Sequence, residues 1–425
     1  MHATVGSSIP PPASNLNQLI SRVTSLGLLT REALSSLFSL SLSFLVPKIL
    51  DLQGAQTANG AEIWACEEGC LDSDLVKGKI VLCNRFEGVA EAYKAGALGA
   101  VVLNTLIDVS VVVPLPASAI AGLDFILVED YVKTTKNPRV QLFRSEVVKD
   151  FTAPTVASFS ACGPLLLAPE IMKPDVTAPG VEILAAYSPI ASPSNGPLYK
   201  RQAKYSIVSG TSMSSPHVAG VASYVKSFHP DWSPSAIKSA IMTTAWPMNT
   251  STNKAGEISY GSGHINPVKA IDPGLVYDAH KEDYITLLCG LGFDSNAVQV
   301  ISGDNSTCPN AKTFPFSFNY PAMTVLTSPM TSFLYKFHRT VTNVGFSNST
   351  YRAKIIPSPN ITVQVQPTIL SFKSLHEKKS FVVTVNGAGL PDMSFKASAS
   401  AWLLWSDGTH SVRSPVFVLP VNTED

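Results

Sequence analysis

The residue types that could do chemistry are concentrated in one string, Gly210-Thr211-Ser212-Met213-Ser214-Ser215-Pro216-His217-Val218-Ala219-Gly220. A serine placed just after a glycine at the start of a helix has two advantages. Its hydroxyl projects from a tight turn, and the helix start offers N–H groups without intrahelical acceptors at the positive end of the dipole. An oxyanion forming beside Ser212 would meet those donors, which is the arrangement that acyl transfer needs. The plainer alternative is that Ser212 only caps the helix. A nucleophilic serine also needs a base, and the only histidine before Ser212 is His2. His217 lies five residues along the same helix, on a face that turns it away from Ser212.

The elements that must position Ser212 are a strand and two helices. Ser206-Ile207-Val208 reads as a short strand running into Gly210. The helix expected from about Ser212 to Ser227 has its apolar stripe at Val218, Val221, Ala222 and Val225, spaced i, i+3, i+4, i+7. Ser233 caps a second helix, Pro234 takes its first turn, and Ile237, Ala240, Ile241 and Thr244 form its stripe.

Upstream, from Ala61 to Val148, short strands and helices alternate. Lys79–Cys83 and Ala100–Leu103 read as strands. Glu87–Ala95, ended by Gly96, and Leu123–Thr134 read as helices. Downstream, from about Phe318, the helices stop. Phe337–Val341, Ile361–Val365 and Phe381–Val385 alternate with period two, as expected of a small β-sandwich. Residues 1 to about 60 show no clean period. Ala13–Leu29 is compatible with a helix and Ser36–Phe44 with a strand, and neither is assigned.

Composition narrows the function classes. Hydrophobic residues make up 45% and charged residues 15%, which is globular rather than disordered. Lys+Arg and Asp+Glu are equal at 31 each, so no net field favours nucleic acid or an anionic membrane as partner. The apolar stretch Leu34–Val46 is too short to span a bilayer, and no signal peptide is evident near Met1. Cys66, Cys70 and Cys83 lack a fourth ligand at suitable spacing, so neither a metal nor another cofactor is expected. Sequons of the N-x-[ST] type stand at Asn249, Asn305, Asn348 and Asn360. Together with cysteines able to pair, they lean towards an oxidising, secreted setting.

The Gly210–Gly220 string closely resembles the nucleophile motif of the subtilase family of serine proteases. Lys173-Pro174-Asp175 with Ala178-Pro179-Gly180, and Phe228-His229-Pro230-Asp231-Trp232-Ser233-Pro234, resemble the strings that flank it. The whole looks most like plant subtilases of the cucumisin type, over about Ala61 to Asn422. The resemblance implies an α/β subtilisin-like catalytic lobe, here incomplete, with an α/β protease-associated insert and a C-terminal fibronectin-III-like β-sandwich. It places an unmatched segment at 1–60, the insert at 61–148, the C-terminal half of the catalytic domain at 152–290, and the sandwich at 318–422. The stretch bearing Asp278, Tyr284 and Cys289 is similar to the end of the catalytic domain. Arg339-Thr340-Val341-Thr342-Asn343-Val344-Gly345 and Ser414-Pro415-Val416 are similar to the sandwich.

Carried over residue by residue, the resemblance makes Ser212 the catalytic serine and leaves structural roles for His217 and Asp175. It pairs Cys66 with Cys83 and Cys289 with Cys308, leaving Cys70 and Cys162 outside both pairs. It implies peptide or protein substrates and an extracellular location in the apoplast or cell wall. Four departures weigh against activity. The family's D-[ST]-G context of the triad Asp, its H-G-T-H context of the base His, and its oxyanion Asn do not occur, and S-S-R-G-P stands altered as Ser160-Ala161-Cys162-Gly163-Pro164. The expectation is an N-terminally truncated member without its general base, inactive alone, whose Ser212 helix lacks part of the surface its apolar stripe needs. A catalytically dead module that binds protein partners through insert and sandwich is the alternative.

Overall fold

The computed structural model describes residues 44–45, 65–104, 109, 111–143, 152–165, 167–194, 199, 201–309, 315–392 and 398–421. His2, Ala13–Leu29 and all of Leu34–Val46 except Phe44 and Leu45 lie outside them. The described residues form two compact units, one holding 44–143 with 181–209 and the other 152–180 with 210–421.

In the first unit, β1 (Phe44–Leu45) pairs antiparallel with a strand far along the chain, β5 (Arg139–Val140). Between them run α1 (Ser73–Val76), β2 (Ile80–Cys83), α2 (Gly88–Lys94), β3 (Gly99–Leu103), β4 (Ala117–Ile120) and α3 (Gly122–Thr134). The sheet order is β2-β3-β4, all parallel, with Ile80 opposite Gly99 and Val102 opposite Ala119. Parallel neighbours need a crossover, and α2 supplies it between β2 and β3. Side chains alternate across the sheet. Val81, Cys83, Ala100 and Val102 pack on one face with Val89 and Ala92 of α2. Ile80, Leu82 and Val101 pack on the other with Phe125 and Val132 of α3. A sheet covered on both faces explains why β2 reads as an unbroken apolar run. The disulfide Cys66–Cys83 ties the segment before α1 to the end of β2. Gly88 packs so closely there that a Cβ would lie 2.7 Å from Cys66 Cβ. The strands β6 (Ile183–Ala186) and β7 (Tyr205–Val208) pair antiparallel, Ile183 opposite Val208.

The second unit opens its helical part with α4 (Thr211–Phe228) and α5 (Pro234–Thr243). The short α6 (Glu257–Tyr260), α7 (Pro267–Ala270) and β8 (Leu275–Val276) follow, then α8 (Lys281–Gly290) and α9 (Ser295–Ser302). The expected stripe of α4 is realised, and here the structure corrects the sequence reading. Val218, Val221 and Val225 are 1%, 7% and 0% exposed, packed with Ala236, Ile237, Ala240 and Ile241 of α5 and with Met172, Val176 and Ala178. The stripe does not lack its surface. The open side of α4 is a different one, carrying Ser215, Ala219, Gly220, Ser223, Tyr224 and Phe228. Ser215, Ala219, Gly220 and Ser223 interrupt the two aromatics there, so no apolar stripe registers and the sequence pattern did not show that this side would be the uncovered one.

Two sheets build the sandwich. One has the order β12 (Thr362–Gln366), β14 (Lys378–Gly387), β10 (Phe333–Asn343), β8; the other β13 (Ile369–Phe372), β11 (Ser349–Ile356), β15 (Ala399–Ser406), β16 (Ser411–Pro420), β9 (Met323–Thr327). Alternation sets the core: Ala399, Ala401, Leu403 and Trp405 of β15 face inward, the residues between them outward. Two features were not foreseen. β8, well before residue 318, adds an edge strand through Thr342–Val276 and Asn343–Leu275 pairing, and β9 runs parallel to β16. A two-residue strand carries too little pattern to be recognised in sequence.

Candidate active site

Gly210 turns the chain into α4 with φ +155° and ψ +159°, a region open essentially to glycine. Its N–H bonds the Gly180 carbonyl at 2.8 Å, and its own carbonyl accepts from Met213 N at 3.0 Å. Gly210 is the N-cap and makes no side-chain cap. Ser212 is therefore the second residue of the helix, exposed, and not a capping residue. Pro216 sits inside α4, so the N–H that would bond the Ser212 carbonyl is missing. With no acidic residue in the first turn, the dipole's positive end is not offset locally. The arrangement presents a hydroxyl, with main-chain N–H groups beside it, to solvent.

A pinned segment holds this turn. Thr177 N–H donates to Gly263 O (2.8 Å), Ile265 N–H to Thr177 O (2.9 Å), and Ser262 N–H to Asp175 O (2.9 Å). The fully buried Ser214 hydroxyl donates to Ala178 O at 3.0 Å. Gly180 approaches so closely that a Cβ would stand 2.1 Å from Ser214 Oγ and 3.1 Å from Gly210 O. Asp175, 2% exposed, takes the Lys173 ammonium at 2.8 and 2.9 Å and the Tyr320 hydroxyl. Burial pushes its carboxyl upward, but the charges of Lys173 and Lys238 and the Tyr320 hydroxyl outweigh burial and hold it below the ordinary carboxylate value. Asp175 thus anchors the segment that ends at Gly180.

Five of the described histidines have side chains engaged with other groups. His217 Nδ1 lies 2.8 Å from Met213 O, one turn back on its own helix. His264 Nδ1 lies 3.2 Å from Ile265 O. Burial, with His217 nearby, lowers the His264 imidazole below its usual value against the pull of the Ile265 carbonyl. His229 bonds Ile271 O at 2.7 Å and stacks on Trp232. His280 pairs with Asp278, and His410 with Asp272 and Asp407. Among the described residues no histidine bonds the Ser212 hydroxyl.

The two disulfides Cys66–Cys83 and Cys289–Cys308 are formed. Cys70 bonds the Glu67 carbonyl, and burial raises the thiols of both Cys70 and Cys162. Among the described residues no group of three or more His, Cys, Asp or Glu is placed to hold a metal ion, and no helix is long and apolar enough to cross a membrane.

Sequence reasoning singled out Ser212 as the candidate, but not the contacts of Gly180, Ser214 and Tyr320. The glycine of Ala178-Pro179-Gly180 was visible, while its contact with Ser214, 34 residues later, depends on tertiary packing.

Comparison with known proteins completes the picture. Residues 92–266 match the Subtilase family, and residues 317–418 the Fibronectin type-III domain. The chain is 53% identical over 366 residues to the subtilisin-like protease SBT4.3 of Arabidopsis thaliana, covering 85% of this chain and 50% of that protein. It is 51% identical over 359 residues to SBT4.4 and 48% over 377 residues to SBT4.6 from the same plant, covering 83% and 88% of this chain and 48% and 50% of theirs. The chain spans about half the length of the curated relatives it matches. By sequence it belongs to the subtilase family of serine proteases, with a fibronectin type-III domain following the subtilase region.

Proposed function

We propose that Ser212 is the nucleophile of a serine-type endopeptidase acting on protein or peptide substrates, and that this chain alone does not hydrolyse them. The observation that carries the reading is an exposed serine at the second position of a glycine-led helix, its hydroxyl used for no cap. In the reaction the hydroxyl oxygen attacks the scissile carbonyl, its proton passes to an imidazole, and the oxyanion is held by N–H donors. The helix start supplies donors of that kind. The proton acceptor is what the chain does not supply: neither D-[ST]-G nor H-G-T-H occurs in it. Where triad members are removed, about 10³–10⁴-fold over water remains, and each lost oxyanion donor costs a further factor of about 10²–10³.

In this reading residues 61–148 are a protease-associated insert, 152–290 the C-terminal half of a catalytic domain, and 318–422 the sandwich. The protein is extracellular, glycosylated at some of Asn249, Asn305, Asn348 and Asn360, all of which are exposed. Neither nucleic acid nor a membrane is a partner. A second reading, a protein-binding module without hydrolysis, draws support from the side chains of His217, His229, His264, His280 and His410, each engaged with a group other than Ser212.

A fluorogenic peptide assay tests the first reading. The 425-residue chain should turn over no faster than its Ser212→Ala variant. A chimera with this chain's matched region in place of that of SBT4.3 should hydrolyse peptides and lose that activity with Ser212→Ala. A chimera equally active with and without the hydroxyl would remove Ser212 from the mechanism.

A further inference from the structure

Outside the candidate site, one buried histidine is held between two carboxylates. His410 lies in the turn between β15 and β16 and is 5% exposed. Its Nδ1 stands 2.8 Å from Asp407 Oδ2 in the same turn, and its Nε2 stands 3.1 Å from Asp272 Oδ1, 138 residues away in the stretch before β8. The Tyr351 hydroxyl of β11 lies 3.4 Å from Nδ1, and the uncharged Phe346 ring packs 5.1 Å away. The backbone is shaped around this ring. A Cβ on Gly274 would stand 2.6 Å from His410 Cβ, and one on Gly345 would stand 3.0 Å from Cε1. The amides of Val344 and Gly345 close the same corner by donating to Gly274 O at 2.9 and 3.0 Å.

A neutral imidazole has one N–H, so it can donate to one carboxylate only. The other nitrogen then turns a lone pair towards the second carboxylate. Only the imidazolium donates to both. We propose that His410 is a pH-sensitive pin that fastens the Asp272–Gly274 stretch to the β15–β16 turn, closed while the imidazole carries both protons and released when it loses one. Burial works against the charged ring, but the bonds from Asp407 and Asp272 outweigh it and raise the imidazole above its ordinary value. Burial raises the Asp407 carboxyl, and its bonds with His410 and neighbouring amides more than reverse that. A raised folded-state value means that the pin's stabilisation is fully present below the ordinary imidazole value and is lost as pH rises through the folded one.

The test uses the full 425-residue chain, with thermal unfolding followed from about pH 5 to about pH 8.5, a span that brackets the ordinary imidazole value. The wild-type Tm should fall with rising pH by several degrees more than that of His410→Gln, which is neutral throughout. Hydrogen exchange at the Gly345 amide, corrected for intrinsic rate, should rise about tenfold across the same span, as for the loss of one charge-assisted hydrogen bond. If His410→Gln does not fold, Asp272→Asn decides the matter, because the Asp272 side chain is 64% exposed and its replacement disturbs little packing. It should flatten the profile in the same way. Parallel Tm profiles for wild type and variant, or an NMR titration placing His410 at or below the ordinary imidazole value, would overturn the proposal.

Discussion

Replacing Gly180 with alanine tests the close approach that positions the nucleophile turn. The new Cβ would stand 2.1 Å from Ser214 Oγ and 3.1 Å from the Gly210 carbonyl oxygen. The Ser214 hydroxyl can swing aside only by giving up its bond to Ala178 O, and the Gly210 backbone must shift by a few tenths of an ångström. Overpacking of this kind costs about 1–3 kcal/mol, and the lost buried hydrogen bond about 1 kcal/mol. We expect Gly180→Ala to destabilise the second unit by about 2–4 kcal/mol, a Tm drop of roughly 4–16 °C for a unit of this size. Ser214→Ala alone should cost about 1 kcal/mol or somewhat more, since it leaves the Ala178 carbonyl without that donor. The double variant should cost less than the sum, because the methyl group then meets no hydroxyl. Urea denaturation of the four proteins reads the coupling. Strict additivity, or a Gly180→Ala protein as stable as wild type, would refute the packing argument.

Three further outcomes follow from the same structure. Val225→Ala on the buried side of α4 should cost about 2 kcal/mol. Tyr224→Ala, at a side chain 45% exposed, should cost much less by the same denaturation assay. The Asp175 carboxyl lies below its ordinary value when folded, so its contribution is present above that value and is lost as pH falls through the folded one. Asp175→Asn should therefore flatten the acid limb of a stability profile recorded down to about pH 2. Reduction of Cys66–Cys83, which spans a sequence separation of 17, should lower the stability of the first unit by about 3 kcal/mol. Protease susceptibility of that unit would report it.

What could be read from the sequence was what repeats locally. The helix of Val218, Val221 and Val225 and the cap at Ser233 follow from residue spacing and capping chemistry, and both are present. Ser233 Oγ accepts from Ala236 N as a cap should. The strands Ile80–Cys83 and Gly99–Leu103 announced themselves as apolar runs. Less legible was whatever depends on distant partners. Leu275–Val276 joins the sandwich only because Asn343 and Thr342 lie opposite. Tyr320 reaches Asp175 across 145 residues. Ser212 could be singled out by its motif, but whether it capped the helix was settled by geometry. Gly210 takes the cap position and leaves that hydroxyl unused.

Active-site labelling puts the account to its most direct trial. A fluorophosphonate probe reacts with a serine only when a base raises its nucleophilicity. Incubated with the 425-residue chain and followed by peptide mass spectrometry, it should leave Ser212 unmodified, with no more signal than Ser212→Ala gives. Stoichiometric adduct on Ser212, absent from that variant, would mean that a proton acceptor within this chain reaches the hydroxyl, and the proposed lack of a base would be wrong.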